Sequence, residues 1–303
     1  MEITARIQAI EAPPAFYTGP QEPNVFLVTD GGEGALIDSG FGDEQSLRAR
    51  LEYLRERPDV KVRYIILTHH HFDHTSGAHR LRQATGAQVV MHPQEERFLL
   101  DWQGDAPQDL DVPPDQQAIL EQVQRFRQQA AEAVPDLPVT DGAVLGVGGL
   151  SLEILHTPGH TLGSICVYIR AVRALFTGDT ALGLGTVAIS PPPYGDMALY
   201  LQSLERLKAL DASVMFPGHG RPVEDVARKL QELIDHRHER EEQVLSLLAA
   251  GKTTPRSMLG EIYPELDRRI LPMALRQIEA HLAKLQAEGH VEPAGPGEWR
   301  PVG

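Results

Sequence analysis

The chain has 303 residues, enough for one large core or for a core with a small second domain. Its 42% hydrophobic and 23% charged residues, with 27 Gly and 23 Pro to supply turns, exclude a disordered or fibrous chain and fit an ordinary globular protein. A formal charge of -14 works against loose adhesion to nucleic acid or to an anionic membrane. The opening "MEITARIQAIEAPP" holds neither a basic stretch leading into an apolar one nor a run long enough to span a bilayer, so the expectation is a cytoplasmic protein.

From residue 1 to about 222, short β-branched runs end in Gly, Pro or Asp: "NVFLVTD", "GALIDSG", "RYIILTHH", "AQVVMHP", "LSLEILHTPGH", "SICVYI", "ALFTGD" and "ASVMFPGHG". These predict strands. Helical patterns around 43 to 57, 74 to 84 and 196 to 210 fall between some of them, which gives an α/β fold with mixed sheets. Segment 101 to 138 is rich in Gln and Ala and bracketed by prolines; it reads as an insertion carrying a helix near 114 to 133. Past 222 the strand signals fade. Residues 223 to 250 predict one long polar helix, and Thr254 followed by Pro255 marks the start of a shorter one. Leu275, Ile278, Leu282 and Leu285 recur at helical spacing up to Gly289, and "VEPAGPGEWRPVG" reads as a hairpin. The organisation expected is thus a domain over 1–222 and a helical domain over 223–303. The single cysteine, Cys166, lies in an apolar strand and reads as a buried, inert thiol.

The stretch "ILTHHHFDHTSG", residues 66 to 77, puts four histidines and an aspartate into six positions directly after a strand. Packed together these groups repel and compete for protons unless a cation sits among them. Imidazole nitrogens and carboxylate oxygens suit zinc, iron or manganese, and the alternation of His69 and His71 turns two rings toward one point while Asp73 and His74 serve a neighbouring one. Three later fragments share a grammar of strand, glycine and lone polar residue: "TPGHTLGS" with His160, "LFTGDT" with Asp179 and "MFPGHG" with His219. Each is weak alone. Together they assemble a site from the ends of several strands, with glycines letting the backbone approach a shared centre.

This pattern resembles the metallo-β-lactamase superfamily of hydrolases, through H-x-H-x-D-H at 69 to 74 followed by His160, Asp179 and His219. The resemblance implies an αββα sandwich in which His69, His71 and His160 hold one metal, Asp73, His74 and His219 a second, and Asp179 bridges both. "ALIDSG" matches a further family signature, which makes Asp38 an acceptor that orients a ligand histidine. Residues 217 to 245 and the tail that follows resemble the branch named lactamase-beta-like protein 2, with a winged-helix-like C-terminal domain and an endoribonuclease as its mitochondrial member. Other histidines read differently. His70 alternates away from its neighbours, His79 and His92 suit surface or packing roles, His156 suits a buried ring bonded to backbone, and His236 and His238 lie in a charged helix.

With no Ser or Cys in a nucleophile motif, the expected attacking group is a water bridging two divalent ions, its pKa lowered from about 16 towards 7. The expected cofactors are two Zn2+, with Mn2+ or Fe2+ as alternatives. Such a centre serves esters, thioesters, lactones or phosphodiesters alike. Loop 183 to 196 follows the bridging aspartate and offers Tyr194 as a substrate contact. The tail from 223 to 303 holds 11 Lys and Arg against 14 Asp and Glu, whereas phosphate binding needs a basic face. Arg268, Arg269, Arg276 and Lys284 are the residues that could gather into one, opposite the leucine stripe. The expectation is therefore a hydrolase of a small ester, thioester or lactone, whose tail shapes the cleft or dimerises. The alternatives are a single-stranded RNA endonuclease, a mononuclear iron persulfide dioxygenase, and a nucleic-acid-binding module with a degenerate catalytic domain.

Overall fold

The structure, a computed structural model, describes residues 2–4, 6–12, 22–100, 117–265 and 270–302. The segment 101–116 of the expected insertion, and with it Arg268 and Arg269 of the tail, lie outside the described residues. Chain contacts divide the protein into two compact units. The first comprises residues 1–156, 163–185 and 211–224, and the second residues 157–162, 186–210 and 225–303.

The first unit contains two sheets. One runs β1 (Glu2–Thr4), β2 (Ile7–Ala9), β3 (Phe26–Asp30), β4 (Glu33–Ile37), β5 (Lys61–Ile66), β6 (Gln88–Met91) and β7 (Leu137–Pro138) in spatial order. β1 to β4 pair antiparallel, while β4 to β7 pair parallel. Parallel neighbours need crossovers. α1 (Glu44–Arg55) joins β4 to β5, α2 (Phe72–Thr75) and α3 (Ala78–Thr85) join β5 to β6, and α4 (Pro93–Leu100) and α5 (Gln117–Ala131) precede β7. Asp43 starts α1 by accepting from the N–H groups of Gln45 and Ser46, as a capping aspartate does.

β8 (Val144–Val147), β9 (Leu150–His156), β10 (Ile165–Ile169) and β11 (Ala174–Gly178) form an antiparallel series in the second sheet, and β12 (Val214–Pro217) pairs parallel with β11. The two sheets share one core. Strand periodicity sorts the side chains: Phe26, Val28, Ala35, Ile37, Ile66 and Val90 face the second sheet, while Leu27, Leu36, Ile65, Val89 and Met91 pack under α1, α3 and α5. Phe26 meets Phe176 and Phe216 edge to face, each with ring centroids 5.4 Å apart, and so ties the sheets together. Truncating Phe26 to alanine is expected to cost about 3–5 kcal/mol in a denaturant titration.

The second unit is mostly helical. It contains α6 (Met197–Lys208), α7 (Val226–Ala249), α8 (Pro255–Ile262) and α9 (Leu271–Ala287), closed by a hairpin of β13 (Val291–Gly295) and β14 (Glu298–Pro301). Thr254 caps α8 in a capping box with Ser257, with Pro255 in the first turn, as its sequence requires. Val244, Leu248, Met258, Ile262, Ile278, Leu282, Leu285 and Val291 form its core.

Several expectations need correction. The helix expected over 74 to 84 is broken at Ser76 and Gly77 into α2 and α3. α7, read as polar, buries one face, and that face includes Arg237 and Glu241. The buried face of α9 is wider than the leucine stripe and takes in Gln277 and His281, whereas Leu275 is only half-buried. No basic face forms from the described candidates: Lys284 is held by Glu241 and Glu288, each at 2.9 Å, and Arg276 lies over the Tyr194 ring at 5.7 Å. His156 is half-buried rather than buried, its ring stacked on that of His92 at 4.1 Å.

Candidate metal centre

Asp38, His69, His71, Asp73, His74, Asp179 and His219 collect at the C-terminal ends of two parallel strand pairs, β4 with β5 and β11 with β12. Such ends are where an α/β fold presents side chains to ligands. After β5 the chain runs through Thr68 and His69 into a short turn, with His71 at the start of α2 and Asp73 and His74 on it. Asp38 follows β4, Asp179 follows β11, and His219 follows Gly218 at the end of β12.

Close approach of these ends requires glycine at two positions. Gly178 has φ +47°, and a side chain there would run into Thr68. A Cβ on Gly218 would collide with Asp179 Oδ1 and with the His74 ring.

Asp38 organises two imidazoles. Its carboxylate accepts from the Thr68 N–H at 2.7 Å, from the Thr68 hydroxyl at 3.0 Å and from His74 Nδ1–H at 2.8 Å. Because the single hydroxyl proton of Thr68 goes to Asp38, Thr68 Oγ1 accepts from His69 Nδ1–H at 3.0 Å. One buried carboxylate thus leaves Nε2 of both His69 and His74 as the lone-pair nitrogen. Asp38 itself sits at φ +61°, a left-handed conformation uncommon for a non-glycine residue, held by its N–H bond to the Ile66 carbonyl and by these three bonds.

The nitrogens so oriented face one another. His69 Nε2 lies 3.0 Å from His71 Nδ1, and His74 Nε2 lies 3.2 Å from His219 Nε2. Two imidazoles bound tetrahedrally to one zinc at about 2.0–2.1 Å would place their nitrogens about 3.3 Å apart, close to both values. Carboxylates complete the cluster. Asp73 Oδ2 is 3.3 Å from His219 Nε2, and Asp179 lies 4.0 Å from His69 Nε2, 3.5 Å from His74 Nε2 and 3.6 Å from His219 Nε2. The ligand atoms of His69, His74 and Asp179, and again those of Asp73, His74 and His219, fall within 4.8 Å of one another and could hold a metal ion.

Electrostatics points the same way. Burial pushes the His74 imidazolium down, yet Asp73, Asp179 and Asp38 outweigh it and raise its pKa to about 10. His219 is raised against burial by Asp179 and Asp73. Burial pushes the Asp73 carboxyl up, but His74, His219 and His71 hold it well below the usual carboxylate range. The carboxylates demand positive charge among these nitrogens. The donor set therefore fits a divalent cation taken through imidazole nitrogen and carboxylate oxygen.

His160 belongs to the second unit, where segment 157–162 is bonded to the 186–203 stretch. The Asp196 N–H donates to the Gly159 carbonyl and the Ser203 hydroxyl to the Pro158 carbonyl. His160 Nδ1–H donates to the Ala188 carbonyl at 2.8 Å, which leaves Nε2 as its lone-pair nitrogen. Tyr194 lies in the same stretch under the Arg276 guanidinium. Cys166 is fully buried with its sulfur 3.7 Å from the Thr177 carbonyl, as expected of an inert thiol.

Two residues in this region escaped sequence reasoning. Glu95 of α4 is fully buried and accepts from the His70 N–H at 2.7 Å, His70 Nδ1–H at 2.6 Å and the Gly163 N–H at 2.7 Å. Asn24 donates through Nδ2 to the carbonyls of Pro217 and Gly220, and its own N–H donates to the Gly218 carbonyl, so it clamps the turn carrying His219. Neither carries a local signal, since their partners lie far along the chain.

Two facing sheets with imidazoles and carboxylates at the ends of parallel strands define a metal-dependent hydrolase fold. The chain belongs to the metallo-β-lactamase superfamily, whose family profile matches residues 18–219, and a β-lactamase associated winged helix domain matches residues 254–299. It is 32% identical over 306 residues to an atrochrysone carboxyl ACP thioesterase of Aspergillus fumigatus, covering 92% of this chain and 81% of that one. It is 27% identical over 273 residues to a beta-lactamase-like protein 2 homolog of Caenorhabditis elegans, covering 90% and 81%. A metallo-beta-lactamase family protein of Thermus thermophilus superposes with a TM-score of 0.81 at 29% identity, over 99% of this chain and all of that one. The α/β fold and the winged helix expected from sequence hold, and the protein is a metal-dependent hydrolase of this superfamily. Among the described residues no helix is long and apolar enough to cross a membrane.

Proposed function

We propose that the protein is a dinuclear zinc hydrolase of small thioesters, with esters and lactones as related substrates. In this reading residues 1–222 form the catalytic domain and 223–303 the winged-helix-like one. His69, His71 and His160 hold one ion, Asp73, His74 and His219 the other, and Asp179 serves both. The observation that carries it is the place of the Asp179 carboxylate, within 4.0 Å of Nε2 of His69, which belongs to the first ligand set, and of Nε2 of His74 and His219, which belong to the second.

When bound, the ions supply Lewis acidity toward the acyl oxygen and lower the pKa of water towards about 7. The remaining work belongs to the chain. Asp38 and Thr68 hold His69 and His74 in the Nε2-presenting tautomer, and Glu95 fixes the turn between His69 and His71. Asp73 is the most open carboxylate of the cluster, its side chain 23% exposed against 10% for Asp179, and so is the one that solvent reaches first. Tyr194 is the candidate contact for the acyl group.

The thioester preference is supported by the name of the Aspergillus fumigatus relative. The tail supports it too, since Lys284 is already neutralised by two carboxylates and the tail is net acidic. The test compares metal-dependent turnover of thioester, ester and lactone panels with cleavage of single-stranded RNA at two salt concentrations. Thioester turnover insensitive to salt is expected. Efficient, strongly salt-sensitive RNA cleavage with no ester or thioester turnover would overturn the reading.

A further inference from the structure

Residues 186–190, "TVAIS", adopt no helix or strand, yet they supply the carbonyl that holds His160. An irregular segment has no ladder to fix its peptide groups, so something else must. Two buried side chains of the helical unit do so. The Arg237 Nη2–H of α7 donates to the Val187 carbonyl at 2.7 Å, and the Ile189 N–H donates to Gln277 Oε1 of α9 at 2.8 Å. Arg237 is 1% exposed and Gln277 5%.

The Ala188 carbonyl and the Ile189 N–H belong to one peptide group. Gln277 and His160 are thus bonded to its opposite ends: Gln277 accepts from the N–H, and the carbonyl accepts from His160 Nδ1–H. A hydrogen bond at one end of an amide polarises it and strengthens the bond at the other. A stronger acceptor at Nδ1 makes the opposite nitrogen of an imidazole a better electron donor. Packing alone does not explain Gln277. Its Nε2 is buried with no hydrogen-bond partner among the described residues, which is costly and which an apolar side chain of the same shape would avoid. What the amide contributes is the Oε1 acceptor.

We propose that Gln277 is a positioning residue for metal binding: through the Ala188–Ile189 peptide it sets the orientation and donor strength of His160, with Arg237 fixing the preceding carbonyl. This rests on His160 being a metal ligand, as proposed above.

The test measures zinc affinity of the full-length protein by competition with a chromogenic chelator, and the visible absorption of the Co2+-substituted protein as a report of coordination geometry. Gln277→Leu, which keeps the shape and removes the acceptor, is expected to bind zinc about tenfold more weakly and to shift the cobalt bands. Gln277→Glu offers the Ile189 N–H a stronger acceptor and is expected to bind zinc more tightly than the parent. Lys284→Met, on the same helix but without a bond to 187–189, is the control and is expected to match the parent. Parental affinity and spectrum in Gln277→Leu would overturn the proposal, as would an equal loss in Lys284→Met or in Gln277→Glu. If Gln277→Leu fails to fold, Gln277→Glu decides: tighter binding supports the role, and parental or weakened binding contradicts it. His160→Ala separates the two levels, because unchanged metal binding there removes the ligand assignment itself, whereas loss there with a parental Gln277→Leu removes only the relay.

Discussion

Glu95 binds His70 twice, through the backbone N–H at 2.7 Å and through Nδ1 at 2.6 Å, and so holds the residue that lies between His69 and His71. The same carboxylate accepts the Gly163 N–H through its other oxygen. α4 thereby holds the residue between two imidazoles of the cluster, and its Phe98 also stacks on the His70 ring, with centroids 5.3 Å apart. In Glu95→Gln a donor NH2 would face an N–H in at least one of these bonds. The expected result is a loss of about 3 kcal/mol in denaturant unfolding, together with a reduced metal content, because the remaining buried donors lose an acceptor. Unchanged stability and metal content would show that the turn is held by other contacts.

Asp38→Asn tests tautomer control in isolation. Asparagine tolerates the φ of +61° found at this position, so the backbone is expected to survive. An amide cannot accept from both Thr68 and His74 as the carboxylate does, and metal affinity is expected to fall about 10- to 100-fold. Zinc titration of the folded variant measures this.

Asp179→Ala is expected to retain the sandwich, whose shared core lies between the sheets rather than at their ends. Activity should fall by well over about a hundredfold, the loss that removing even an outer partner of a metal ligand can cause. Circular dichroism and turnover on a thioester, measured on one preparation, give the comparison.

Acid should weaken the helical unit through His281. Burial lowers its pKa to about 4, with the nearby Arg237 adding to the effect and Glu241, whose Oε1 is 3.5 Å from Nδ1, opposing it. The unfolded chain takes up this proton near pH 6.5 and the folded one does not, so stability is full above pH 6.5 and falls as pH drops towards 4. The loss at the acid end is on the order of 3 kcal/mol. Glu241 is shifted down despite burial by His281 and Lys284, and its contribution is lost below pH 4.5, in the same direction. Thermal melts of His281→Met across this range should show a flatter pH dependence than the parent.

Much of the site was legible because its signals are local. His69, His71, Asp73 and His74 lie within six residues after a strand, and Asp179 and His219 each follow a glycine at a strand end where a side chain would collide with Thr68 in one case and with Asp179 and His74 in the other. Strands β3 to β6 and β9 to β12 were legible from β-branched runs. β1, β2 and β7 have three residues or fewer, too short for periodicity to register, and β8, "VLGV", is interrupted by Gly146. Glu95 was missed because "PQEERFLL" reads as an ordinary charged helix, its partners lying 25 and 68 residues away. Arg237 and Gln277 were hidden for a similar reason. Polar residues at helical positions read as solvated, and only the irregular 186–190 backbone, which no periodicity predicts, gives them a reason to be buried.

The most direct measurement for the central claim is elemental analysis of protein purified without a tag, before and after incubation with zinc or manganese. Two ligand sets sharing Asp179 predict two divalent ions per chain. A lone ion would leave one group of imidazoles and carboxylates clustered without the cation that their charges demand. One tightly bound metal per chain, with no second ion gained on adding zinc or manganese, would contradict the account.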